Sequence, residues 1–230
     1  MKVAVMNMSG NVGKTTIARQ LLAPRLGAPV IPVESLNADD QEVETLLRGS
    51  QYGELLAQIG GLARAVIDVG ASNVEDLLEG MRLYRGSADE EFDVVIVPTI
   101  GSPKQIRDTI ATIDALRDRG VQGDKIRLLF NMVDYRDTVP AVFATIFSYW
   151  ADHKDFRLDP MAVIHSNELF EQLAGANVAD LVADQTDFKA LRDQTVDPGE
   201  KRAITHRLGL RRLARGVSEE FNAVYKILMN

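Results

Sequence analysis

Hydrophobic positions along the chain gather into six short runs, at residues 2–6, 30–33, 64–68, 92–97, 125–131 and 161–165. Each run is nearly continuous instead of alternating with polar residues. Strands covered on both faces, as in a parallel sheet, show this pattern. The intervening stretches carry helical spacing: residues 14–23, 41–48 with a second piece at 54–59, then 73–83, 104–117 and 138–150. Strand and helix in repeated alternation predict an α/β domain with a mostly parallel, doubly wound sheet flanked by helices. After Asp197-Pro198-Gly199, the one strong late breaker, residues 200–228 read as a long or once-broken amphipathic helix. No repeat or linker divides the chain, so one domain over 1–230 is the expectation.

Composition narrows the chemistry. The 230 residues contain no cysteine, which excludes thiolate nucleophiles and cysteine-built metal sites. His153, His165 and His206 lack ligand spacing. The longest apolar runs are far too short to span a bilayer, and no leader sequence is evident at the N-terminus, so a cytoplasmic protein is expected. The net charge of −7 provides no general attraction to nucleic acid.

The segment Met6-Asn7-Met8-Ser9-Gly10-Asn11-Val12-Gly13-Lys14-Thr15-Thr16 follows the first strand and opens the first helix. In that context Gly-x-x-Gly-Lys-Thr-Thr is a phosphate-binding loop candidate. Backbone amides from Gly10 through Asn11, Val12 and Gly13 to Thr15 would wrap a β-phosphate at the positive end of a helix dipole. Gly13 admits a close backbone approach, and Lys14 would bridge β- and γ-phosphates. The Thr15 hydroxyl would ligate Mg²⁺, and Thr16 would reach the α-phosphate. At residues 65–68 a strand ends in an acid and Val69-Gly70 follows, a Walker B pattern in which Asp68 would hold the metal through water.

The first strand, this loop and Ile17-Ala18 resemble the ParA/MinD family of P-loop ATPases, including its plasmid-stability members. The order of elements supports the likeness over residues 1–185. The resemblance implies a protein that binds ATP/ADP with Mg²⁺ and hydrolyses ATP slowly. Such a protein acts in plasmid stability, partition or conjugation with a small DNA-binding partner from the same operon. It also implies specific positions. Glu34 aligns with the first acid of the family's switch I, but Leu36 takes the place of the second. Asp39 and Asp40 read as caps for a following helix. Asn131 stands where the family contacts adenine, although Asn131-x-x-Asp134 half-matches a guanine-reading loop and a strand-end Asn also forms turns. The family's signature lysine, which crosses a dimer, is replaced by Ser9, and Met8 and Asn11 stand where glycines are usual. Any homodimer is therefore expected not to be crossed by a lysine at this position. Lys104 reads as a solvated helix N-terminal residue.

Arg207, Arg211 and Arg215 lie four residues apart on one face of the last helix. They form either a DNA phosphate clamp, which would associate the protein with the nucleoid, or a solvated face. Few bulky apolar residues gather near residue 230, so a membrane surface ranks last. Two other classes stand beside the ATPase: a nucleotide-gated adaptor with negligible turnover, and a metabolic ligase of the dethiobiotin-synthetase type.

Overall fold

A computed structural model describes residues 1–34, 51–83, 92–173 and 175–230. The chain folds as two compact units. One comprises residues 1–166 with 224–230, and the other residues 167–223.

The six expected strands form one sheet in the first unit: β1 (Lys2–Val5), β2 (Val30–Val33), β3 (Ala65–Val69), β4 (Val94–Thr99), β5 (Ile126–Val133) and β6 (Val163–His165), in the order β2-β3-β1-β4-β5-β6. Every pairing is parallel. All of β3 and β4 is buried, which accounts for their unbroken apolar runs. Edge strand β2 alternates between buried and half-buried positions. The chain lays β2 and β3 on one side of β1 and β4 to β6 on the other. β1 thus lies at a topological switch point, where α/β sheets open a crevice at the strands' C-terminal ends.

The helix leaving β1 has an identifiable local fault. It opens as Lys14–Thr16, becomes π-helical over Ile17–Leu22 and closes as Ala23–Leu26. Pro24 has no N–H to return to the Gln20 carbonyl. The Arg25 guanidinium supplies the missing donor, bonding the Gln20 carbonyl at 3.2 Å and that of Leu21 at 3.1 Å. Gly27, at φ +58°, then ends the helix in the left-handed region. Further along, helices occupy Tyr52–Gly60, Val74–Leu83 and Pro103–Asp118. The pattern at 138–150 resolves into two helices, Val139–Val142 and Ala144–His153, broken at Phe143. The expected helix at 41–48 lies outside the described residues, together with Leu36, Asp39 and Asp40.

The second unit contains three short helices that the sequence pattern did not suggest: Leu169–Gln172, Val178–Ala183 and Phe188–Gln194. At four to seven residues they are too short to show a period. The breaker at 197–199 proves to be a helix start. Pro198 is the first residue of the unbroken helix Pro198–Met229, and the Asp197 carboxylate accepts the Glu200 amide at 2.7 Å. Within this unit Phe188, Ile204 and Leu208 form a small core.

Candidate functional site

Sheet register brings the loop and the Walker B acid together. Val5, the last residue of β1, pairs directly with Asp68 on β3, so the chain leaves β1 beside that carboxylate. Pro32 of β2 pairs with Asp68 from the other side, and Glu34 follows one residue beyond that strand.

The loop then closes on the helix through two left-handed residues, Asn11 at φ +59° and Gly13 at φ +84°. Gly13 caps the helix, and two constraints select glycine there. The first is the positive φ, and the second is room. A Cβ at this position would lie 2.3 Å from the Nδ2 of Asn131. Asn131 itself is buried at the far end of β5 and donates from Nδ2 to the Val12 carbonyl at 2.9 Å. The structure thus brings Asn131 onto the loop, with its amide nitrogen supporting the loop and its carbonyl oxygen as its remaining polar group. A cavity of about 200 Å³ is lined by Asn11, Gly13, Lys14, Thr15 and Thr16, the residues assigned to phosphate.

Lys14 is 8% exposed and its ammonium donates to the Ser9 carbonyl at 2.7 Å and the Asn7 carbonyl at 3.1 Å. Burial lowers its pKa, opposed by the negative charges of Asp68 and then Glu34. Asp68 is also buried, and burial raises its pKa. A hydrogen bond from Thr15 works against that shift, Glu34 reinforces it, and Lys14 and Arg19 oppose it. Lys14, Thr15, Asp68 and Glu34 therefore form one electrostatic cluster. Glu34 is exposed, and its side chain approaches Gly70, where an added Cβ would lie 3.4 Å from the Glu34 Cγ.

The donor set suits Mg²⁺: one hydroxyl and one carboxylate, hydrogen-bonded to each other, with Thr15 lining a phosphate-sized cavity. Mg²⁺ characteristically keeps several waters and takes few protein ligands beside phosphate oxygens. No cluster of three or more His, Cys, Asp or Glu side chains suited to a metal occurs among the described residues.

Sequence reasoning missed the support beneath the loop. Asn7 is fully buried and donates to the Pro98 carbonyl and to the Thr109 hydroxyl, both at 2.8 Å. Its own carbonyl oxygen accepts the Ser9 amide at 2.7 Å. The Met8 amide donates to the Thr112 hydroxyl at 3.1 Å. Thr109 and Thr112 lie on the buried face of the Pro103–Asp118 helix, among Ile106, Ile113 and Leu116. Two threonines inside an apolar helical stripe were the available signal: buried hydroxyls need partners, and the loop provides them. Ser9 is buried as well, and Lys104 is tied to Asp108 at 2.6 Å while 67% exposed. That pairing adds an ion pair to the solvated reading of Lys104.

The C-terminal arginines are engaged locally. The Arg207 and Arg211 guanidinium groups lie 5.2 and 4.6 Å from the centre of the Phe188 ring, and Arg211 also donates to the carbonyls of Asp184 and Thr186. Arg215 is exposed.

No protein-family model matches the chain, and no significant match occurs among curated proteins. Solved structures do match. Apo McdA of Cyanothece superposes with a TM-score of 0.54 at 13% identity, covering 95% of this chain and 98% of that one. The cell-division ATPase MinD of Pyrococcus furiosus gives 0.52 at 14%, over 95% and 98%. The ParA called pNOB8 ParA gives 0.52 at 11%, over 98% of both chains.

This is the fold of ParA/MinD P-loop ATPases.

Within the ParA/MinD fold the loop after β1 and the acid ending β3 occupy the switch-point crevice, where the register above places them. Among the described residues no helix is long and apolar enough to cross a membrane.

Proposed function

We propose that the protein is a nucleotide-dependent switch that binds MgATP at the loop between β1 and Lys14 and hydrolyses it slowly. One observation carries the reading. The Lys14 ammonium is held on loop carbonyls close to a hydrogen bond between exposed Thr15 and buried Asp68, and Lys14 and Thr15 line one phosphate-sized cavity. On binding, Lys14 exchanges two carbonyls for phosphate oxygens, and the loop amides and Thr16 hold the remaining phosphate charge. Thr15 and Asp68 would hold the cation, whose charge would stabilise the phosphoryl oxygens during transfer. Asn131 stands at the loop's edge for the base, and Glu34 approaches from β2 towards the water side.

Slow turnover follows from residue 9. A buried serine cannot carry a positive charge to a second subunit's phosphates, a contribution that an arginine finger makes in related chemistry with a rate effect of about 10³–10⁵. The same observation favours a second reading, an adaptor gated by bound nucleotide with negligible hydrolysis. Light scattering with a nonhydrolysable ATP analogue, run beside turnover of wild type and Ser9→Lys, separates the outcomes. We expect slow turnover and no tight nucleotide-faced dimer in the wild type. A tight dimer turning over as fast as Ser9→Lys overturns the role given to Ser9, and turnover indistinguishable from buffer selects the adaptor.

The fold's ParA relative and the basic helix face support a cytoplasmic, nucleoid-associated role in plasmid partition, stability or conjugation, alongside a small DNA-binding partner. DNA contact by the helix itself is testable. Arg207, Arg211 and Arg215 should together contribute a salt slope of about 3, near 0.9 per phosphate. Neutralising all three should weaken sequence-independent DNA binding and remove that slope. Unchanged binding in the triple variant assigns Arg207 and Arg211 to the Phe188 stack alone.

A further inference from the structure

At the end of β5 remote from Asn131, the first unit contains a second and larger cavity, about 470 Å³ in volume. Arg127 and Trp150 line it, as do Arg157, Phe156, Leu158 and Leu228. The volume falls within the range of small-molecule sites.

Two arginines and one carboxylate, Asp159, line it. Residues 155–158 run alongside the start of β5. The Arg157 amide bonds the Ile126 carbonyl at 2.8 Å, and the Leu128 amide bonds the Arg157 carbonyl at 3.0 Å. These bonds make Arg127 and Arg157 direct partners in a parallel bridge, with both side chains on one face. Like charges so placed repel. Arg127 Nη1 donates to the Leu228 carbonyl, while its Nε is buried with no hydrogen-bond partner. Burial, and after it the charge of Arg157, lowers the Arg127 pKa, against the opposing negative charge of Asp124. The acid on the cavity wall, Asp159, is engaged in a turn, accepting the Met161 amide at 2.8 Å. Trp150 is anchored by donation from Nε1 to the Phe156 carbonyl at 3.0 Å, so its ring is a fixed wall. The cavity therefore combines two arginines, facing a single wall carboxylate, with aromatic and aliphatic sides.

The geometry points to a binding site for a small organic anion, in which a carboxylate, sulfonate or phosphate on an apolar body meets Arg127 and Arg157 while the body packs against Trp150 and Phe156. This site is independent of the nucleotide reading. Arg127 and Asn131 are four residues apart on β5, roughly 13 Å at strand rise.

Trp150 is the chain's single tryptophan, so it reports on this cavity directly. The test is sensitised emission from Trp150 to anilinonaphthalene sulfonate, compared with neutral phenylnaphthylamine of similar shape. The sulfonate should bind saturably and at least about tenfold more tightly than the neutral probe, the worth of one charge-assisted contact. Arg157 is exposed, so Arg157→Gln should fold normally and weaken sulfonate binding by about tenfold, and Arg157→Lys should restore most of it. Lys14→Ala should leave it unchanged. Equal affinity for the two probes, or for wild type and Arg157→Gln, overturns the proposal. So does loss of the signal in Lys14→Ala with retention in Arg157→Gln, because the probe would then sit in the phosphate loop. A failure of MgATP binding alone leaves these outcomes untouched.

Discussion

Replacing Lys14 by alanine should weaken MgATP binding at least about 100-fold while leaving the fold intact. The ammonium is the charge that the loop aims at phosphate, and losing two charge-assisted hydrogen bonds costs about 3 kcal/mol or more, which corresponds to that factor. The stability half of the expectation comes from the direction of the Lys14 shift. Its folded-state pKa lies below the ordinary lysine value, chiefly through burial. The folded chain therefore holds this proton less tightly than the unfolded chain does. The resulting destabilisation is present in full below the folded pKa and fades as pH rises towards the ordinary value. At neutral pH the buried charge is a cost to the apo fold, so its removal should not lower the melting temperature by more than a few degrees. Calorimetric titration with MgATP and thermal unfolding of the apo protein read the two halves separately. Unchanged ATP affinity would remove the phosphate-loop assignment. A collapse of the apo fold would show that Lys14's bonds to Asn7 and Ser9 hold the loop up.

Gly13→Ala should damage both stability and binding. A residue with a Cβ at φ +84° carries left-handed strain of about 1–2 kcal/mol. The clash with Asn131 at 2.3 Å adds overpacking of about 1–3 kcal/mol. The sum, roughly 2–5 kcal/mol, should appear as a lower urea midpoint. The double variant Gly13→Ala with Asn131→Ala separates the parts. Removing the Asn131 side chain should recover the steric share and leave the backbone share, so nucleotide binding stays impaired. A wild-type midpoint in the single variant would contradict the loop conformation and the Asn131 contact together.

The elements that the sequence showed most clearly are those dominated by a single physical effect. Central strands need apolar side chains on both faces and even the edge strands β2 and β6 keep short apolar runs, so all six could be read from the pattern of hydrophobic positions. Glycine at 13 suits in the same direct way the positive φ and the close approach of Asn131 found there. What stayed hidden depended on partners far away in sequence. Nothing near Asn7 announces that it will meet Thr109, 102 residues on. The Phe143 break in the helical pattern at 138–150, and the short helices between 169 and 194, are decided by tertiary packing that outweighs local propensity. Asp197-Pro198-Gly199 was legible as punctuation but not as a beginning, because the same residues that stop one element can cap the next.

The buried Asn7 network gives the loop a thermodynamic character. The Met8 and Ser9 amides are hydrogen-bonded to the protein's own Thr112 and Asn7 side chains, so the fold itself orders the entry to the proposed phosphate site. The conformational entropy of that stretch is lost during folding, not during binding. On the proposed function, nucleotide affinity is thereby coupled to global stability. A substitution that loosens the Pro103–Asp118 helix, without touching any residue that meets a phosphate, transfers the ordering cost back to the binding step and weakens the affinity from a distance.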